Sequence, residues 1–154
     1  MNTRTELSLI VEPPCWEVLP VDLCEFLRRL ADLVPTDAAL CLEGVIAADV
    51  ERYLQKRPAN YENETDQGFL KMSSKVFYTP VTEENLQDLA TLAEGYAAPE
   101  VCSALRVYRN DKIMLSWYDL PFDPFYVASE IDEAILKEFC RALGCSYELN
   151  SEAV

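Results

Sequence analysis

The 154 residues contain no histidine and carry 27 acidic against 13 basic side chains, a formal net charge of −14 at pH 7. Without an imidazole in the chain, Ser-His-Asp and Cys-His nucleophile activation, zincin motifs and carboxylate-histidine iron sites are excluded. The acidic surplus repels nucleic acids and anionic membranes, while a 50 % hydrophobic content places the chain among folded domains rather than disordered ones.

In chain order, residues 7–11 read as a short strand stopped by Pro13 and Pro14. From Leu19 the pattern turns helical. Pro20 suits a first turn, and Leu23, Phe26, Leu27, Leu30, Leu33 and Val34 form an apolar stripe that Pro35 ends. Residues 38–42 are a buried strand between turn signals, and a shorter helix follows over residues 48–56, with Val50, Tyr53 and Leu54 inward. The polar stretch 60–68 reads as an exposed loop. A strand around residues 75–78 leads to Thr82, an N-cap ahead of Glu83 and Glu84, whose charges complement the dipole of the helix they open. That helix carries Leu86, Leu89, Ala90 and Ala93 inward and ends near Gly95. Residues 103–108 and 113–118 form a hairpin whose tip, Asn110-Asp111, accepts positive φ angles. The last helix starts at Ser129, with Asp132 completing a shortened capping box, and Gly144 stops it.

This order predicts a single α+β domain over residues 1–154: a mixed, largely antiparallel sheet covered by about four helices, with a C-terminal hairpin followed by a helix. The opening residues lack the pattern of a signal peptide, and no apolar run approaches the roughly 20 residues that span a bilayer, so a cytoplasmic protein is expected. In that compartment the six cysteines at 15, 24, 41, 102, 140 and 145 are reduced thiols rather than a disulfide framework.

Motifs for nucleotide chemistry are missing. The four glycines, at 44, 68, 95 and 144, write neither G-x-G-x-x-G nor the P-loop, and no Ser-x-x-Lys pair is present. Glu62, Glu64 and Asp66 alternate like calcium ligands, but Gln67 stands where an EF-hand turn needs glycine, so a solvated acidic loop is the reading. No catalytic residue, metal site or cofactor is assigned. The candidate binding residues are Trp117, Tyr118, Asp119, Asp123 and Tyr126, in a Pro- and aromatic-rich segment directly after a strand. Aromatic area beside steering carboxylates suits a grip on a basic protein. The competing structural role is that Trp117, Phe122 and Phe125 plug the end of the core.

The expected function is therefore a non-enzymatic protein-binding module for a basic partner, with no nucleic-acid or membrane partner. In charge and size the chain is similar to small bacterial inhibitor or immunity proteins. Its element order is also similar to that of type III secretion chaperones, apart from the helix at residues 48–56, and that resemblance implies an acidic homodimer. A small-molecule-binding module, or an enzyme using carboxylates or a cysteine, is the remaining alternative.

Overall fold

The computed structural model describes residues 7–59 and 76–151. Strand β1 (Cys15–Val18) leads to helix α1 (Leu23–Leu33), whose N-cap Asp22 accepts the Glu25 N–H and whose Leu23, Phe26, Leu27, Leu30 and Leu33 are buried. Strand β2 (Ala39–Glu43) and helix α2 (Ala48–Lys56) follow. After β3 (Val76–Pro80), the Thr82 hydroxyl accepts the Asn85 N–H and caps α3 (Glu83–Ala93). A short helix, α4 (Ala98–Val101), precedes β4 (Ala104–Arg109) and β5 (Lys112–Tyr118). The chain closes with β6 (Phe125–Ala128), α5 (Glu133–Leu143) and β7 (Tyr147–Asn150).

The seven strands form one sheet in the order β3-β2-β4-β5-β6-β1-β7, and every pairing is antiparallel. Strand alternation gives the sheet two unlike faces. The helices cover one of them, where Leu40, Leu42, Leu105, Val107, Leu115, Trp117, Phe125 and Val127 join the helix stripes in the main core. Phe26 is the node: its ring meets Trp117, Phe125 and Phe139 edge-on at 5.0, 5.2 and 6.1 Å, joining α1 to β5, β6 and α5. Each such aromatic pair adds about 0.5–1.5 kcal/mol beyond area burial.

On the opposite face, the register aligns one residue from each strand in a row: Tyr78, Cys41, Arg106, Ser116, Tyr126, Glu17 and Glu148. Arg106 is fully buried within it. Its guanidinium donates to Glu43 Oε1 at 2.7 Å, to the Tyr108 hydroxyl at 3.0 Å and to the Tyr118 hydroxyl at 3.2 Å. Residues 7–11 cross this face as a strap. The Tyr108 hydroxyl donates to Ser8 O at 2.7 Å, the Tyr118 hydroxyl donates to Leu9 O, and Val11 N–H donates to Ser116 Oγ at 3.2 Å. Leu7 and Val11 are buried there in a second, smaller cluster with Cys15, Cys41, Tyr108, Ile113 and Ala128.

A bulge in the hairpin sets which residues meet which face. Val107 pairs with Leu115 but Tyr108 with Ile113, leaving Met114 as the extra residue. At the tip, Asn110 and Asp111 adopt φ of 49° and 66°, as two-residue hairpin turns require.

Several sequence expectations are corrected. Residues 7–11 are not a strand, because their polar backbone bonds run to side chains of the sheet rather than into a ladder. The first strand is Cys15–Val18 instead, and helix α1 starts at Leu23 rather than in the turn after Pro20. Helix α5 is capped by Asp132, which accepts the Ala134 N–H at 2.9 Å, not by Ser129. Ile131 and Leu136 then fall at staple positions, and both are buried in the main core. Strands β6 and β7 and helix α4 are additional to the expected elements, and the described residues hold five helices, in keeping with the expected count of about four. The acidic stretch with Glu62, Glu64 and Asp66 lies outside the described residues.

Candidate docking surface

Among the described residues, the antiparallel register gathers five connections at one end of the sheet: residues 19–22, 44–47, 102–103, 119–124 and 144–146. They cap adjacent strands from β2 to β7, a width of about 24 Å at the usual strand spacing. Three large apolar side chains stand open there, Leu19 at 51 %, Ile46 at 72 % and Phe122 at 76 % exposure. None of these connections contains a lysine or arginine.

The loop from Asp119 to Pro124 is held from below. Leu120 is buried in the main core, Asp119 adopts a φ of 52°, and its carbonyl accepts the N–H groups of Phe122 at 2.9 Å and Asp123 at 3.4 Å. The Trp117 indole donates to Asp123 O at 2.7 Å. These bonds fix the turn that points Phe122 away from the protein.

Strand alternation separates the five sequence-predicted binding residues. Trp117 is fully buried among Phe26 and Phe125, so it presents no surface. Tyr118, next in the strand, points to the opposite face and is tied to Arg106 and the strap. Burial raises its pKa, against the lowering effect of Arg106. Asp119 and Asp123 are exposed on the loop, and among the described residues neither carboxylate makes a hydrogen bond or ion pair. Tyr126 is half-buried in the polar row, and burial, then the charge and hydrogen bond of Glu17, push its phenol up. Of the three rings weighed as a core plug, Trp117 and Phe125 take that role, whereas Phe122 turns outward. Phe122, Leu19 and Ile46 are the surface residues that sequence reasoning missed. Phe122 had one legible signal: placed between Pro121 and Pro124, it sits where a strand cannot continue and alternation gives no guide to direction.

Two grooves lie elsewhere. One of ≈ 600 Å³ runs between α1 and α5, lined by Arg29, Ile135 and Phe139 among others, and one of ≈ 280 Å³ runs beside the strap at Ile10, Pro14 and Lys112. Asp119 and Asp123 line neither. Among the described residues no group of three or more Cys, Asp or Glu is placed to hold a metal ion, and no helix is long and apolar enough to cross a membrane. Comparisons with protein-family models, with curated proteins and with solved structures find no match for this chain.

Proposed function

We propose that the protein is a non-enzymatic binding module whose loop-bearing sheet end docks a basic protein. The observation that carries this reading is Phe122, 76 % exposed on a loop pinned by Leu120, Trp117 and the Asp119 carbonyl. A ring carried on a loop whose backbone is already pinned brings apolar area to an interface without the cost of ordering that loop. Asp119 and Asp123 flank it, and with no cation in the five connections the local field attracts a cationic surface. A second copy is the poorer occupant, since a two-fold contact through Phe122 sets these carboxylates against their own counterparts.

The test starts with capture from extracts of the source organism and proceeds to titration of the purified captured protein. Support requires a basic protein that binds one-to-one, at least tenfold weaker for Phe122→Ala and progressively weaker from 50 to 500 mM salt. Affinity indifferent to both changes, or light scattering that shows a dimer abolished by Phe122→Ala, overturns the reading.

A further inference from the structure

Helix α5 ends in a Schellman turn. Gly144, at φ 69°, donates its N–H to Arg141 O at 3.3 Å, and Cys145 donates its N–H to Cys140 O at 3.0 Å. This pair of bonds stacks the side chain after the glycine on the helix side chain five positions earlier, a contact apolar residues usually fill. Here both positions are cysteine. Both thiols are free, and the turn sets their side chains next to one another. Standard bond lengths and the 3.0 Å backbone bond hold the two Cα atoms within about 7 Å, which reaches the roughly 4.4–6.8 Å window of a disulfide. Exposure divides the pair: Cys140 is 2 % exposed, whereas Cys145 is partly open to solvent.

We propose that Cys140 and Cys145 form a dithiol site that closes to a disulfide by exchange with a low-molecular-weight disulfide such as oxidised glutathione. Cys145 is the attacking thiol. The hydrogen bond from Cys140 holds its pKa below the ordinary thiol value, while the same contact and burial push Cys140 up. The Cys145 thiolate attacks one sulfur of the small disulfide, whose S–S bond breaks and releases one thiolate. The Cys140 thiol then gives up its proton and attacks the Cys145 sulfur, expelling the second thiol. Two protein thiols are oxidised and one small disulfide is reduced to two thiols, so electrons and protons balance. Three of the other cysteines, Cys15, Cys41 and Cys102, are at most 1 % exposed, and Cys24 is the remaining partly exposed thiol. Cys145 lies in the 144–146 connection, at the same end of the sheet as Phe122, but the dithiol site rests on the helix turn and not on docking.

The test uses the native full chain, equilibrated with oxidised and reduced glutathione, alkylated and digested with trypsin. Cleavage after Lys137 and Arg141 separates the two cysteines, so a disulfide leaves residues 138–141 joined to residues 142–154. The joined peptides are expected as the main oxidised product, absent from Cys145→Ser and replaced in Cys140→Ala by a glutathione adduct on Cys145. Phenylarsine oxide, which forms two As–S bonds to a dithiol with loss of water, should bind the wild type one-to-one and Cys145→Ser at least tenfold more weakly. The proposal is overturned if both cysteines alkylate separately under conditions that oxidise dithiothreitol, or if Cys24 is the linked residue. Should Cys140→Ala fail to fold, the wild type and Cys145→Ser decide the outcome.

Discussion

Arg106 and Glu43, 63 positions apart in the chain, meet at 2.7 Å on the sheet face away from the helices. Their side chains are 1 % and 15 % exposed. Burial opposes the guanidinium charge, but Cys41, Tyr108 and Glu43 outweigh it and hold the Arg106 pKa above its ordinary value. Removing one partner of such a pair leaves a buried charge without its counterion. Glu43→Ala is therefore expected to cost about 3–5 kcal/mol, read as a lower urea midpoint. The double variant Glu43→Leu/Arg106→Met, which removes both charges, should unfold at higher urea than Glu43→Ala alone.

Tyr53 joins α2 to α3, its hydroxyl donating to Asp88 Oδ2 at 2.8 Å and Asn85 Oδ1 at 3.1 Å. Burial, reinforced by the hydrogen bond to Asp88, pushes the phenol from 10.0 up to about 12. The fold thus favours the neutral ring, and that contribution is complete below pH 10 and is lost as pH rises through 12. Tyr53→Phe should lose about 1 kcal/mol at neutral pH. Its deficit against wild type should narrow across that alkaline window in denaturant titrations.

The loop that displays Phe122 separates binding from stability. Phe122→Ser touches a side chain with few protein contacts and should shift stability by no more than about 0.5 kcal/mol, while abolishing capture of a basic partner. Leu120→Ala, two residues earlier and 2 % exposed, should cost about 2–5 kcal/mol in thermal or urea unfolding. Equal stability losses in the two variants would contradict the inside-out arrangement of the loop.

Deleting the chain through Val11 removes the cover from one end of the polar row. Cys15 and Cys41, 1 % and 0 % exposed within the strap cluster, should then react with Ellman's reagent under native conditions. The full chain should leave both unreacted.

Helices were the most legible elements because their cues are local. The stripe from Leu23 to Leu33, the Thr82 cap and the stop at Gly144 each act within a few residues, and all three appear in the structure. Strands depend on partners that local pattern does not name. Leu7 and Val11 are buried, yet their segment lies across the sheet. Cys15–Val18, hidden behind Pro13-Pro14, finds its ladder with β6 and β7 from the far end of the chain. β6 was overlooked because Pro121 and Pro124 made the stretch before it read as continuous loop.

The candidate site was legible in place but not in orientation. The segment after β5 does carry exposed acids and an aromatic ring, while alternation sends Trp117 and Tyr118 to opposite sides. Arg106 gave no warning in the sequence. Its burial depends on Glu43 and Tyr118 arriving from neighbouring strands and on the strap closing above, all long-range events.

The extra residue at Met114 resets the parity of β5. Ile113 and Trp117 are both odd-numbered, and in an uninterrupted strand they would share a side, yet Ile113 belongs to the strap cluster and Trp117 to the helix-side core. One inserted amino acid thus sends residues of the same parity in a single seven-residue strand to two separate interiors. Excising Met114 would leave Ile113 directly before Leu115, and plain alternation would still send Ile113 to the strap and Leu115 and Trp117 to the helices. At this position a one-residue deletion makes the ladder regular, and its cost is that of the Met114 side chain lost from the helix-side core.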